Sequence, residues 1–396
     1  MLLSLNMINV TTFLLLLVIF FASCEKPTEI INNNIGTPVT AETARKALAK
    51  GINLENWFND YSSASQYSTR FNSMDMTRIK ALGFTYVRLP IATNVLFQAN
   101  NPSQLTAINL TYVDNAVKII IDAGLAVVFD GIHNSDETFE KNLATSAGYD
   151  EKAIAYWKAL AQYFSKYPTD KMFFEVYNEP HVGTSKFNNL NVTWWWPVQL
   201  KLVQAIRQVT ANHYIIAGAE GWNGRTNLIS MVPYGETNII YNFHTYDPFL
   251  FTHQGATWAG WEPAITARSV PYPSKQSVID SLVKSTSVQS LKDALSWYGK
   301  QNYNLDSMKN WAKPVDTWAK KYNVLVTCNE FGAYKPFTSR SSRLAWIRDM
   351  RLALEQNNIP WAMWEYDNGF GLTTYSNNDR SKPETDEGIL ISLGLK

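Results

Sequence analysis

Two glutamates stand at the ends of apolar, strand-like segments that lie far apart in the chain. Glu179 is part of MFFEVYNEP, and Glu330 is part of VLVTCNEFG. Two carboxyl groups held about 5–5.5 Å apart can cleave a glycosidic bond with retention of configuration. One carboxylic acid protonates the departing oxygen, while the other carboxylate attacks the anomeric carbon and forms a covalent intermediate. We therefore predict Glu179 as the acid/base and Glu330 as the nucleophile of such a site.

A glutamate before a proline is ordinarily a solvated loop residue, so neither motif is specific by itself. Other polar or aromatic residues, however, follow apolar runs in the same way. They are Arg88 in FTYVRLP, His133 in AVVFDGIH, Asn178 beside Glu179, His244 and Tyr246 in IIYNFHTY, and Trp364 in IPWAMWEYD. In a (β/α)8 barrel, active-site residues cluster where strands end and βα loops begin. We expect Arg88 to keep the nucleophile ionised, with a purely structural ion pair as the alternative.

Eight runs rich in β-branched and aromatic residues indicate the strands that position these side chains. They begin at Gly51, Phe84, Ala126, Met172, His213, Ile239, Val324 and Ile359. Amphipathic patterns between them predict helices over Tyr112–Ala123, Asp150–Phe164, Val198–Val209, Trp311–Lys321 and Leu344–Gln356. Thr111 and Asp114 form a capping-box signature at the start of the first of these helices.

Eight βα units predict an α/β fold, a (β/α)8 TIM barrel that forms a single catalytic domain over residues 41–396. Residues 247–310 interrupt the alternation of predicted strands and helices, and they are rich in aromatic residues and proline. We predict a long loop over the barrel mouth there, with one helix near Ser287–Trp297.

Alternation along a strand predicts which side chains share a face. The predicted sets are Glu175, Tyr177 and Glu179; Asn242, His244 and Tyr246; and Cys328 with Glu330. We expect Glu175 to be a buried, hydrogen-bonded carboxylate below the site. Cys328 is predicted to pack in the barrel interior without acting as a nucleophile.

Composition excludes several function classes. With 35 Lys+Arg against 34 Asp+Glu, the net charge is +1, which offers no footprint for nucleic acid. No HExxH motif or closely spaced His/Cys cluster is present, so we predict no metal and no cofactor. Aromatic residues make up 13% of the chain, and a subset could stack on sugar rings. We expect a monomer.

The N-terminal segment predicts export. Residues 12–23 form an apolar run that suits the core of a signal peptide and is short for a membrane-spanning helix. The run ends in Ala22-Ser23-Cys24, which resembles a bacterial lipobox, although Phe21 and the lack of Lys or Arg before it depart from that pattern. We expect residues 1–23 to be a signal peptide and Cys24 to be lipidated. Residues 24–40 would be a flexible linker. The protein would then be an outer-membrane or cell-surface lipoprotein, and the alternative is a secreted or periplasmic protein.

The motifs, taken in order, resemble glycoside hydrolase family 5, which contains many cellulases and mannanases. The resemblance runs from about Gly51 to Asp367 and rests on VRLP, VYNEP, FHTY, NEFG and WAMWEYDNG. Two departures stand out. Asn329 occupies the position of a glycine in the seventh-strand motif, and Ile132-His133-Asn134 replaces a histidine pair after the third strand.

The resemblance implies further roles. Asn178 would bond the sugar 2-hydroxyl, and Tyr246 would donate a hydrogen bond to Glu330. His133 and His244 would contact the substrate or the acid/base, and Trp364 would be the sugar platform. Glu179 would have a raised pKa, so that it remains protonated near neutral pH.

The segment from Asp247 to Gly255 looks like loops of endoglucanase-type members, which favours a β-1,4-glucan as the substrate. Candidate residues for further sugar subsites are Trp57, Trp222, Trp258 and Trp261. Two alternatives remain within the class: an endo-β-1,4-mannanase, and a xyloglucan or mixed-linkage glucanase. A non-catalytic glycan-binding barrel is the alternative of another class, and the presence of both Glu179 and Glu330 argues against it.

Overall fold

The eight predicted apolar runs form eight parallel strands that close into a barrel. Each strand pairs with the next one in sequence, and the eighth pairs back with the first. The strands are β1 (Lys50–Asn53), β2 (Tyr86–Ala92), β3 (Ala126–His133), β4 (Met172–Glu175), β5 (Tyr214–Gly218), β6 (Ile239–Thr245), β7 (Leu325–Phe331) and β8 (Trp361–Met363). The predicted (β/α)8 barrel is confirmed, and each strand begins within about two residues of its predicted start.

The computed structural model describes residues 38–59, 63–133, 137–182 and 194–396, and all of these belong to one compact unit. The predicted signal peptide, Cys24 and most of the predicted linker lie outside the described residues. The first helix begins after Thr40, whose hydroxyl accepts a hydrogen bond from the backbone N–H of Thr43. Within the described ranges, no helix combines the length and the apolar character needed to cross a bilayer.

Helices surround the barrel, and the first of them (Ala41–Ala47) packs against the apolar layer at one end of the barrel interior. In the described part of the chain they are α1 (Ala41–Ala47), α2 (Ala64–Tyr67), α3 (Ser73–Ala81), α4 (Thr93–Leu96), α5 (Ala107–Asp122), α6 (Glu137–Thr145), α7 (Tyr149–Phe164), α8 (Trp195–Arg207), α9 (Glu220–Asn223), α10 (Arg225–Ser230), α11 (Phe249–Thr252), α12 (Glu262–Thr266), α13 (Gln276–Ser285), α14 (Gln289–Lys300), α15 (Leu305–Tyr322), α16 (Arg340–Gln356) and α17 (Glu387–Ser392).

Two helical predictions need correction. Helix α5 begins at Ala107, so Thr111 lies inside the helix, where its hydroxyl donates to the carbonyl of Ile108 at 2.7 Å. The capping box predicted there is therefore wrong. Residues 247–310 are a largely helical insertion, α11 to α14, rather than a long loop with one helix. A Pro-rich segment can still be helical because proline is tolerated in the first turn, as at Pro263.

The barrel interior is narrow and is filled in layers. Its apolar cluster consists of Tyr86, Ala126, Val128, Phe173, Tyr214, Ile216, Ile240 and Ala362, packed against Ala44 of α1 and against Leu48, which directly follows that helix. Gly51 is required in β1 because a β-carbon there would lie 2.2 Å from the ring of Tyr86. Polar side chains occupy the interior above this layer, towards the carboxyl ends of the strands.

Two side chains predicted from strand parity lie on the other face of the sheet. Cys328 belongs to the apolar layer between sheet and helices, because the pairing of β7 with β8 shifts register between Cys328 and Phe331. Tyr177 packs against Trp195 of α8, because β4 ends at Glu175 and the alternation ends with it. The fold continues past β8 with a hairpin of β9 (Thr373–Tyr375) and β10 (Pro383–Thr385), which the sequence analysis missed.

Candidate active site

The two predicted catalytic glutamates meet at the mouth of the barrel. Glu330 lies in β7, and Glu179 follows β4 on the opposite side of the barrel. One carboxylate oxygen of Glu179 lies within 4.8 Å of one carboxylate oxygen of Glu330. This separation suits direct attack by one carboxylate, whereas the inverting route needs about 6.5–9.5 Å to hold a water molecule.

Arg88 is the centre of the buried polar network beneath the two glutamates. Its side chain is fully buried, and its guanidinium donates to carboxylates on three other strands. The partners are Glu175 at 2.7 and 3.0 Å, Asp130 at 3.1 Å and Glu330 at 2.6 Å, together with the amide oxygens of Asn53 at 3.1 Å and Asn178 at 2.8 Å. A planar group with five N–H donors can serve so many acceptors in one layer, which a lysine ammonium could not.

Both carboxylate oxygens of Glu330, the predicted nucleophile, accept hydrogen bonds. Arg88 Nη1 lies 2.6 Å from Oε1, and the hydroxyl of Tyr246 donates to Oε2 at 2.7 Å. These two donors lie on different strands, so the carboxylate is fixed in orientation and its negative charge is stabilised. Burial and the nearby Glu330 charge raise the pKa of Tyr246, which therefore stays protonated and able to donate.

The acid/base Glu179 has a different environment. Its backbone has φ +45°, a left-handed conformation that is uncommon for a residue with a β-carbon. Its side chain is 24% exposed and lies 2.8 Å from Nδ1 of His244. Burial raises the pKa of Glu179 to about 7, in spite of the opposing influence of His133 and Arg88. Glu179 is therefore protonated up to neutral pH, as a general acid must be.

The tautomer of His244 follows from its neighbours. Asn242 accepts from the backbone N–H of Asn329 at 3.1 Å, which fixes the orientation of its amide. The amide nitrogen of Asn242 then donates to Nε2 of His244 at 3.1 Å. Nδ1 must carry the proton, and it donates to Glu179. Burial lowers the pKa of His244 to about 4, so the ring is neutral while it orients the acid/base.

Glu179, His244 and Glu330 are also a group in the described ranges whose ligand atoms could hold a metal ion by distance alone. The local chemistry opposes a cation there. Nδ1 of His244 is a donor, and the guanidinium of Arg88 is bonded to the same Glu330 carboxylate. The hydrogen bonds of the site suit a metal-independent reaction between two carboxyl groups.

His133 and Trp364 border the site on the side of β3 and β8. Their rings are nearly parallel, with centroids 6.3 Å apart and an interplanar angle of 4°. Nδ1 of His133 lies 2.8 Å from Asp130, which is also bonded to Arg88. Asp130 therefore orients His133 and ties it to the central network. The partly exposed Trp364 has the position that a sugar platform requires.

The four further tryptophans differ in exposure. Trp57 is 1% exposed, stacks on Phe58 and donates from Nε1 to the carbonyl of Tyr67 at 3.0 Å. It has no face open to a sugar, so its prediction as a subsite residue is corrected to a core residue. The other three expose large aromatic surface: Trp222 at 48%, Trp258 at 60% and Trp261 at 41%. These three remain predictions as sugar contacts.

Several polar residues of the network were missed or misread in the sequence. Asn53 and Asp130 went unnoticed, although each interrupts an apolar strand, which is the signal that could have identified them. Asn329 was treated only as a departure from a family motif. Its amide nitrogen donates to Glu175 at 3.1 Å, so it stabilises the buried carboxylate that also binds Arg88.

Comparisons with known proteins agree with this geometry. The sequence model of the cellulase family (glycosyl hydrolase family 5) matches residues 40–369. Endoglucanase 3 of Fibrobacter succinogenes is 29% identical over 346 residues, which cover 84% of this chain and 51% of that protein. The chain thus spans about half the length of this relative. Endoglucanase C of Acetivibrio thermocellus is 27% identical over 322 residues, covering 80% of this chain and 90% of that protein.

The fold is also similar to that of a solved endoglucanase structure. Thermotoga maritima Cel5A, crystallised as a mutant form in complex with cellobiose, superimposes with a TM-score of 0.70. The two chains are 27% identical, and the alignment covers 90% of this chain and 99% of that one. The eight-stranded barrel, the two facing glutamates and the family match over most of the sequence lead to one conclusion. The chain belongs to the cellulase family, glycosyl hydrolase family 5, and it is a glycoside hydrolase.

Proposed function

We propose that this protein is a retaining endo-β-1,4-glucanase that hydrolyses cellulose-like glucans by double displacement. The observation that carries the mechanism is the distance of at most 4.8 Å between carboxylate oxygens of Glu179 and Glu330. Support for an endo-acting β-1,4-glucanase comes from relatives named endoglucanases and from a neighbour solved with cellobiose.

In the first step, protonated Glu179 transfers its proton to the glycosidic oxygen as the bond to the anomeric carbon breaks. Glu330 attacks that carbon and forms a covalent glycosyl-enzyme. Tyr246 and Arg88 hold the Glu330 carboxylate in the attacking orientation. The leaving sugar chain departs with the proton that Glu179 donated. Glu179 is then ionised.

In the second step, ionised Glu179 takes a proton from water. The oxygen of that water attacks the anomeric carbon, and the bond to Glu330 breaks. The site returns to its starting protonation state. Neutral His244, which donates from Nδ1, stabilises the ionised form of Glu179 between the two steps.

Substrate contacts follow from the positions of the remaining residues. The amide oxygen of Asn178 accepts from Arg88 at 2.8 Å, which leaves its amide nitrogen available to donate to a sugar hydroxyl. Trp364 offers a partly exposed ring beside His133 for stacking on the sugar in the site. These roles match those that the family resemblance implies.

A polysaccharide panel with product sizing tests the proposal. The purified enzyme is incubated with carboxymethylcellulose, mixed-linkage glucan, xyloglucan and mannan, and the products are sized over time. Random shortening of carboxymethylcellulose is expected, with no comparable attack on mannan. Faster cleavage of mannan, xyloglucan or mixed-linkage glucan would favour one of the other specificities. A Glu330→Gln variant is the matched control. If wild type only binds glucan and releases no sugar, the protein is a glycan-binding barrel.

We further propose that the enzyme is exported and anchored through a lipid on Cys24. The support is the apolar run at residues 12–23, which ends in small residues before that cysteine. Metabolic labelling with a radioactive fatty acid tests this in a bacterial host. Wild type is expected to incorporate the label and to sediment with membranes, and Cys24→Ala should do neither. Unlabelled wild type in the medium would indicate a secreted enzyme instead.

A further inference from the structure

A buried glutamate outside the catalytic pair is bonded to the chain directly after the acid/base. Glu140 lies in α6, and its side chain is fully buried. Its Oε1 accepts hydrogen bonds from the backbone N–H groups of His181 and Val182, at 2.5 and 2.7 Å. One carboxylate oxygen from a separate helix therefore holds two consecutive peptide groups, only two and three residues after Glu179.

Glu140 also contacts this segment through the side chain of His181. Its Oε2 lies 3.4 Å from Nδ1 of His181, and that nitrogen donates to the backbone carbonyl of Glu179 at 2.8 Å. The ring of His181 stacks on Trp222, with centroids 4.8 Å apart and an interplanar angle of 11°. Glu140 is thus connected both to the peptide that follows the acid/base and to the ring that contacts it.

The backbone conformation of Glu179 explains why the following residues need to be held in place. Glu179 has φ +45°, a strained conformation that persists only where the surroundings enforce it. On one side, the carbonyl of Pro180 accepts from Gly221 at 2.7 Å. On the other side are the two N–H groups held by Glu140. Without Glu140, the segment can relax, and the Glu179 carboxyl would leave the position set by His244.

We propose that Glu140 is a positioning residue that fixes the acid/base Glu179 for proton transfer to the leaving group. This inference rests on the proposed retaining mechanism, in which Glu179 protonates the departing oxygen. Glu140 is fully buried and need not touch the substrate. It acts through the backbone from Glu179 to Val182 and through the ring of His181. A purely structural Glu140 would support the fold and leave proton transfer unaffected.

The dependence of rate on the leaving group separates the two roles. Dinitrophenolate departs without a proton, whereas phenolate departs poorly unless Glu179 protonates it. For Glu140→Ala, we expect kcat/KM on phenyl β-cellobioside to fall about 10- to 100-fold, because a small misplacement of a catalytic group has effects of this size. The value for dinitrophenyl β-cellobioside should fall less than about threefold. Glu140→Gln keeps one acceptor oxygen for the two N–H groups and should recover most of the loss.

Asp349→Asn is the matched control, because Asp349 is also a buried carboxylate. It accepts from Tyr272 at 3.0 Å and lies in α16, away from the catalytic pair. It should change both substrates by the same small factor. Equal losses on both substrates in Glu140→Ala, or no loss on either, would overturn the proposal.

A measurement that needs no substrate keeps this inference separate from the proposed function. Hydrogen exchange of the peptide containing His181 and Val182 should be at least about tenfold faster in Glu140→Ala than in wild type, since both amides lose their acceptor. Unchanged exchange would refute the attachment itself. If wild type cleaves neither cellobioside, the retaining mechanism fails, and with it the catalytic part of this inference.

Discussion

Arg88 and Glu330 form the shortest ion pair of the catalytic network, with Nη1 of the arginine 2.6 Å from Oε1 of the nucleophile. The same guanidinium also binds Glu175 and Asp130, so one cation serves three buried carboxylates. Removing one partner of a buried charge network leaves the others uncompensated, which costs about 3–5 kcal/mol. Arg88 therefore links catalysis to the stability of the barrel interior.

An Arg88→Lys variant should have lower activity and lower stability than wild type. A lysine keeps the charge but cannot donate in the plane to carboxylates on three strands. We expect the free energy of unfolding to fall by about 3 kcal/mol and kcat/KM to fall at least about 100-fold. Urea unfolding and assays on cello-oligosaccharides measure the two effects. Arg340→Lys is the control, because that arginine is largely exposed and bonded to Asp386, and it should leave the stability essentially unchanged. Wild-type stability in Arg88→Lys would contradict the central role of Arg88.

Tyr246→Phe isolates the second donor to the nucleophile. The variant removes one hydrogen bond, 2.7 Å long, to Oε2 of Glu330. A hydrogen bond to a charged group contributes about 1.5–3 kcal/mol, so kcat should fall about 10- to 100-fold. The melting temperature should fall only modestly, because the ring is retained and a single hydrogen bond is lost. Tyr298→Phe, which removes a bond to the carbonyl of Pro271, serves as a control that should retain full activity. A Tyr246→Phe enzyme with wild-type kcat would show that Arg88 alone suffices.

The pH dependence of kcat/KM should be governed at its basic side by Glu179. The reaction needs this residue protonated, and its pKa is raised to about 7. The value of kcat/KM should therefore be constant well below pH 7 and fall about tenfold per pH unit well above it. His244, with a pKa lowered to about 4, stays neutral and should not contribute in this range. Wild type assayed with dinitrophenyl β-cellobioside, whose leaving group departs without a proton, should not show the basic decline near pH 7. Its persistence would assign the decline to another group.

Much of the fold, and the proximity of Glu179 and Glu330, could be predicted because the relevant signals are local. A strand of the barrel is an apolar run, and polar residues within or just after it can face the interior at or below the mouth, so the strands that carry Arg88, Glu179 and Glu330 could be identified without coordinates. What could not be predicted depends on register and packing. Cys328 was placed on the wrong face because a register shift in β7 breaks the alternation on which strand parity relies.

The burial of individual side chains also could not be predicted from the sequence. Trp57 lies beside Asn56 in a polar context, as an exposed sugar platform would, yet Phe71 and Phe58 enclose its ring. Such tertiary contacts leave no local signal. The same holds for Glu140, whose partners at His181 and Val182 are about 40 positions away.

The raised pKa of Glu179 also predicts a stability effect. Its folded value of about 7 lies above the ordinary value of about 4.3, so the folded protein binds the proton more tightly than the unfolded chain. The penalty of ionising the buried group is absent below about pH 4 and fully present above about pH 7, where it reaches at most about 4 kcal/mol. Glu179→Gln removes it. The variant should be more stable than wild type at pH 8 and similar to wild type at pH 4. Urea unfolding at both pH values measures the difference, and an equal difference at both would contradict this linkage.

The tryptophans provide a paired test of core against subsite. Trp57→Ala should lower the free energy of unfolding by about 3–5 kcal/mol, because it empties a buried site and leaves the carbonyl of Tyr67 without its donor. Oligosaccharide affinity should be unchanged. Trp222→Ala removes a half-exposed ring near the acid/base, and should weaken cello-oligosaccharide binding about 2- to 10-fold with little effect on stability. Calorimetric titration in a Glu330→Gln background measures affinity without hydrolysis. If Trp57→Ala weakened binding while Trp222→Ala did not, the assignment of both residues from their exposure would be reversed.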